Sequence, residues 1–366
     1  MGLRPVGQHG RRYQEGVTSM SAIGEQAALL QREWQTRPRW AGITRDYSAR
    51  DVIRLRGRAA VEHGPARRGA TRLWGLLHSQ DAVQAAACGN PAPPGSVARL
   101  KAGDQAAACG NPAQPAGTGP QAVYLPCWQP ADGNLAGHTG PGQSPYPVMA
   151  GAEVVAGGAA GAFGLMKAMI EAGAAGVRFD DQLPAGSTRA HPGQRVLIPT
   201  GQHIEALTAA RLAADVLGVP SLVIARTGAR AASLLTSDSD ERDHEFLTGE
   251  RTAEGLHRVE PGLYACGTRA LAFAPYVDLL WLETPAPDLA AARAFAAVIH
   301  SQYPGKLLAY SCSPAFGWQT TPDDAPAARF GKELAAMGYR FQVTSPLAEP
   351  ADRAGRPARD EVPAYA

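Results

Sequence analysis

From residue 121 to 345, short strand-like runs alternate with segments of helical period, and that alternation admits few folds. AVYLPCW is followed by FGLMKAMIEAG and AGVRFDDQ, then by HIEALTAARLAADVLG and VPSLVIART. TRALAFAPY before VDLLWLET, DLAAARAFAAVIHSQYPG before KLLAYSCSP, and ARFGKELAAMG before YRFQVTS repeat the arrangement. Successive βα units of this kind pair into a mostly parallel sheet covered by helices. With no GxGxxG after the first strand, a TIM-type (β/α)8 barrel is favoured over a dinucleotide-binding sheet.

The 366 residues leave room for this unit and a helical front. Residues 1–22 are polar and aperiodic and read as a flexible N-terminus. Residues 23–120 read as an N-terminal helical region. There IGEQAALLQREW has an amphipathic period, DYSARDVIRLRGRAA offers Ser48 as a cap with Asp51 completing an imperfect capping box, and ATRLWGLLHSQDAV (70–83) continues in helical style. The same region carries QAAACGNPA at 84–92 and again at 105–113, which reads as a local duplication or a disturbed loop. Residues 121–345 are the expected catalytic-type barrel, and 346–366 the expected disordered tail.

A formal charge of +2 offers no field for a nucleic-acid partner. Only four of the 35 basic residues are lysine, a chain-wide bias that makes arginine clusters weak signals by themselves. Five cysteines without a CxxC pair fit a reducing, cytoplasmic compartment, and the N-terminus has no signal-type apolar segment. The most apolar stretch, 148–166, contains Glu153 and is largely glycine and alanine, a poor membrane span. The absence of G-x-S-x-G, P-loop and H-E-x-x-H patterns weakens hydrolase readings.

Barrel chemistry collects at the C-terminal ends of strands. The residues there are Trp128, Asp132, Glu153, Asp180, Asp181, Arg226, Glu283, Ser311 and Ser313. Carboxylates in that position suit Mg²⁺, and an arginine beside them suits an anionic substrate. His191, in the loop AGSTRAHPGQR, is placed for proton transfer or carboxylate binding.

At these residues the chain resembles the isocitrate lyase family, the glyoxylate-cycle branch of the isocitrate lyase and phosphoenolpyruvate mutase superfamily. The resemblance runs from about residue 27 to 345 and is most specific in WAGITRDYSARDVIRLRG, YLPCWQPADGNLAG, FGLMKAMIEAGAAGVRFDDQL and WLETPAPDLAAARAFAAVIHSQYPGKLLAYSCSPAFGW. It implies a Mg²⁺-dependent lyase that cleaves isocitrate to succinate and glyoxylate, built as a barrel in a homo-oligomer of tetramer type. It further implies that Trp128 and Arg226 hold the glyoxylate or carboxylate end, that Asp132, Glu153 and Asp180 serve the metal, and that Ser311, Ser313, Thr344 and Ser345 serve the succinate carboxylates. His191, Glu283 and Arg189 fall at its catalytic positions.

The departures from the family pattern are local. Its lysine, lysine, cysteine, glycine, histidine loop reads Ser187, Thr188, Arg189, Ala190, His191 here, so a guanidinium stands at the thiol position and cannot donate a proton at neutral pH. Gly151 stands where the family has a metal-binding aspartate before Glu153, and one strand with its helix is missing between Tyr146 and Glu153. The expectation is an incomplete barrel with strongly reduced or absent lyase activity. Two alternatives stay open: a lyase for a related 2-hydroxy or 2-oxo acid, and a catalytically inactive paralogue that binds ligands or modulates an oligomer.

Overall fold

Period-2 burial turns the strand sequences into a layered sheet. A computed structural model describes residues 23–56, 61–79, 83–87, 149–152, 158–183, 194–312 and 325–346. In chain order the front comprises α1 (23–36), α2 (Ala49–Arg56), α3 (Gly64–Leu77) and β1 (Val83–Ala87). Then follow β2 (Met149–Ala152), α4 (Gly158–Glu171), β3 (Gly176–Asp180), β4 (Val196–Leu197), α5 (Thr200–Leu217) and β5 (Leu222–Arg226). The remainder is β6 (Leu234–Leu235), β7 (Leu247–Arg251), β8 (His257–Val259), α6 (Leu263–Phe273), β9 (Leu279–Thr284), α7 (Leu289–Gln302), β10 (Leu307–Cys312), α8 (Ala325–Ala336) and β11 (Tyr339–Pro346).

Seven strands pair in parallel in the order β1-β11-β10-β9-β5-β3-β2. Val177, Phe179, Val223, Ala225, Leu280, Leu282, Leu308 and Tyr310 point to one face, into a core shared with α4 to α8. The intervening Leu222, Ile224, Leu279, Trp281, Ala309 and Phe341 point to the other face, where Ala70, Leu73 and Leu77 of α3 cover them. Leu73 and Leu77 are essentially fully buried, and burying a leucine contributes about 1.5–3 kcal/mol. The described strands form an open α/β sheet with β1 and β2 at its ends, so they carry the parallel order of a barrel without its closure.

Local chemistry sets several boundaries. Ser48 and Asp51 form the capping box: the Asp51 carboxylate accepts from Ser48 N at 3.0 Å, and Ser48 Oγ accepts from Asp51 N at 3.2 Å. Pro65 lets α3 begin at Gly64, six residues ahead of the expected start, because a proline loses nothing in the first turn. α5 ends at Gly218, whose φ of +64° is the left-handed cap. Asp288 caps α7 by accepting from Ala291 N.

The structure corrects the expected layout in two places. β1 occupies residues expected to be helix or disturbed loop, including the start of the first repeat copy, and pairs with β11. The second copy lies outside the described residues. A small mixed sheet, β4-β6-β8-β7, was not anticipated; it packs Leu197, Ala229, Leu235, Phe246 and Val259 into a core of its own.

The segment between α1 and α2 is strapped to the N-terminal end of the main sheet. Arg39 lies between the rings of Trp40 and Trp74, at 4.5 and 4.2 Å, and pairs with Asp278. Asp278 also accepts from Arg211 Nη2 at 2.6 Å and from Val223 N at 2.8 Å. Asp215 on α5 accepts from both Arg45 Nε and Tyr47 Oη at 2.7 Å. Among the described residues no helix is long and apolar enough to cross a membrane.

Candidate active site

Strand register brings the charged residues together. Asp180 ends β3 opposite Arg226 at the end of β5, and Glu283 on β9 stands opposite Ser311 on β10. Arg226 is the link. Its Nη2 donates to Asp180 Oδ2 at 2.6 Å, and its Nη1 donates to Glu283 Oε2. Glu283 Oε1 accepts from Arg195 Nη2 at 2.8 Å. Burial would lower the Arg226 pKa, but Asp180 and Glu283 more than offset it, so this guanidinium is held above its ordinary value. Burial would raise Glu283, but Arg226, then Arg195 and Arg178, hold it below the usual range, ionised at neutral pH.

Arg178, two residues before Asp180 on the same side of β3, completes the group. Its Nε lies 2.9 Å from Asp180 Oδ1, although neither atom makes a hydrogen bond. Its guanidinium sits 5.0 Å from the Trp281 ring centroid, and Trp281 is oriented by Nε1 donating to Ser311 Oγ at 2.8 Å. Ser311 thus serves the indole as acceptor. Asp181 is not part of this group; it accepts from Gly228 N and Arg269 Nε, both at 2.8 Å. Arg269 also donates to Asp243, which accepts from Thr200 N at the start of α5, so this second network ties the end of β3 to α5 and α6.

The expected residues therefore divide. Asp180, Arg226, Glu283 and Ser311 are gathered at one end of the sheet. Thr344 and Ser345 lie on β11, with Ser345 in register with Ala86. Trp128, Asp132, Glu153, Arg189, His191 and Ser313 lie outside the described residues. Sequence reading missed Arg178 and Arg195. The first was within reach, because period-2 alternation places it beside Asp180; Arg195 carried no signal, since it arrives from the unanticipated small sheet.

Mg²⁺ needs oxygen ligands at about 2.0–2.1 Å. Among the described residues no three histidine, cysteine or acidic side chains gather for a metal ion. Asp180, the described member of the expected metal set, has one oxygen taken by Arg226 and the other facing Arg178. This part of the site does not fit a divalent cation. Cys266, in the core on α6, is no acidic thiol: burial, with Asp181 adding to it, pushes it up to about 12.

His203 on α5 lies in a small cleft beside Phe179, Asp180 and Gln202, edge-on to Phe273 at 4.7 Å, with Nε2 unpartnered. Burial lowers its pKa from 6.5 to about 4, against the opposing pull of Asp181. On unfolding it regains its ordinary value, so between these limits the unfolded chain takes up a proton that the folded chain refuses. Stability is therefore expected to fall by about 3 kcal/mol as the pH drops from 6.5 to 4. Urea midpoints across that range should show the slope in the native chain and a flatter profile in His203→Gln.

Comparison with known proteins bears on the same region. The model of the isocitrate lyase family matches residues 143–251 and 248–348. Isocitrate lyase 1 of Mycobacterium tuberculosis (strain Erdman) is 44% identical over 364 residues, covering 88% of this chain and 80% of that protein. The chain belongs to the isocitrate lyase family. The isocitrate lyase of Escherichia coli K12 is 45% identical with the same coverage. A solved oxaloacetate acetylhydrolase bound to oxalate overlays on 55% of this chain at 19% identity and a TM-score of 0.36, too loosely to support residue correspondences. All the described charged residues of the site fall inside the matched span.

Proposed function

We propose that this family member is a carbon–carbon lyase of the isocitrate type, cleaving isocitrate to succinate and glyoxylate. One observation carries the reading: Arg226 bridges Asp180 and Glu283 at the ends of adjacent parallel strands, where ligands of α/β folds bind. The two carboxylates fix the guanidinium's plane and keep it charged, prepared to receive a substrate carboxylate in bidentate fashion. Cleavage requires a base to take the substrate hydroxyl proton, rupture of the carbon–carbon bond to leave glyoxylate, and protonation of the succinate carbanion. Glu283, held ionised by arginines, is a weak base and acts chiefly by orienting Arg226. His191 is the residue proposed to move the proton.

Mg²⁺ is the cofactor that family membership suggests, with Asp132 and Glu153 proposed beside Asp180, but no step is assigned to it because Asp180 is engaged by two guanidiniums. The open sheet is proposed to be part of a (β/α)8 barrel over residues 121–345, in a homo-oligomer. Purified protein, checked for folding by circular dichroism, is expected to release glyoxylate and succinate in equal amounts from isocitrate near pH 7; a folded sample that releases neither overturns the proposal. Arg189 at the family's thiol position favours a second reading, a carboxylate-binding protein without turnover, whose signature is binding with no product.

A further inference from the structure

Three guanidiniums, Arg178, Arg195 and Arg226, meet two carboxylates, Asp180 and Glu283, so among the described residues this end of the sheet keeps one positive charge in excess. Arg195 is spoken for by Glu283, and Arg226 is shared between both acids. The surplus sits on Arg178. Its side chain is mostly buried, and the acid it pairs with, Asp180, is shared with Arg226. Arg178 Nη2 donates to Asp180 Oδ2 at 3.3 Å and Arg178 Nε lies 2.9 Å from Oδ1, but the Nε atoms of both Arg178 and Arg226 are buried without a hydrogen bond. Buried guanidinium donors left unmatched are costly unless a further acceptor completes them. The acceptor such a pair suits is a carboxylate, whose two oxygens match the planar fork.

A divalent cation meets the opposite situation. To reach Asp180 it has to displace Arg226 from one oxygen and Arg178 from beside the other, and it comes to lie against two guanidiniums. Like charges a few ångströms apart in a poorly solvated site repel strongly.

We propose that Arg178 stands in for a divalent cation at this site, so that small carboxylate substrates bind between Arg178 and Arg226 without metal. The ligand class rests on the lyase reading given above; the charge balance does not. The indole of Trp281 and the carboxylate of Asp180 hold Arg178 in place for this task, and Ser311 acts at one remove by fixing the indole.

The test is isothermal titration of the full chain with succinate, glyoxylate and isocitrate, once in EDTA and once in excess Mg²⁺. Equal affinity under the two conditions is expected. Arg178→Gln is expected to weaken the EDTA titration by about 10- to 100-fold, the worth of a charged hydrogen-bonding group, with Arg178→Lys intermediate because it keeps the charge but not the fork. Binding seen only with Mg²⁺ overturns the inference and leaves the lyase reading standing. Binding under neither condition overturns the lyase reading, and the inference with it.

Discussion

Arg226→Met is expected to abolish carboxylate binding and to lower stability at the same time. The substitution preserves the aliphatic stem and removes the only group among the described residues that bonds to both acids. Asp180, 1% exposed, and Glu283, 17% exposed, then face each other across the vacated position with Arg178 and Arg195 as partial compensation. Breaking a buried pair from one side costs about 3–5 kcal/mol, and the remaining arginines place this case near the lower figure. Losing a preorganised charge at a reacting carboxylate costs a further factor of about 100 in turnover. Urea denaturation and glyoxylate release, measured on the same preparation, check the two effects separately. Arg226→Lys should recover most of the stability and little of the activity, because an ammonium neutralises charge without spanning both acids. An unchanged urea midpoint in Arg226→Met would contradict the bridging role.

The second large effect is expected far from the chemistry. Asp278→Ala removes the acceptor shared by Arg39, Arg211 and the backbone of Val223, and leaves the Arg211 guanidinium, 1% exposed, without its acid. The expected loss is again about 3–5 kcal/mol, or roughly 10 °C in thermal midpoint for a domain of this size. Burial would raise the Asp278 carboxyl, but Arg211 and Arg39 hold it far below the ordinary carboxylate value. Its contribution is therefore intact above about pH 4 and fades only in stronger acid. With Arg39 released, the segment between α1 and α2 should become the first site of limited proteolysis. Persistence of both the native melting point and the native digestion pattern would remove Asp278 from this role.

Much of the main sheet was legible because its strands are apolar on both faces and its helices carry a 3.6-residue period; β3, β5, β9, β10 and β11 fall where the alternation placed them. The misses have physical causes. β1 is VQAAA, and alanine is a strong helix former depleted from strands, so its composition argues against the strand that pairing with β11 imposes. β4 and β6 are two residues each, too short to show any period, and they exist because neighbouring segments pair with them. α3 began early because Pro65 favours a first turn.

The site follows the same division. Asp180, Arg226 and Glu283 could be found because chemistry at strand ends is a property of the fold class, whereas their engagement with one another depends on register between β3, β5 and β9. Arg178 lay one pleat further in, and a reading that stopped at the strand ends passed over it. Ser311 was found by position, and the bond it accepts from Trp281 could not be read from the sequence.

The packing of α3 against one face of the sheet has a kinetic meaning. Leu73 and Leu77, essentially fully buried against Leu222, Ile224 and Leu279, bar the N-terminal side of that face among the described residues, so a small carboxylate bound between Arg178 and Arg226 is expected to exchange past the C-terminal ends of the strands.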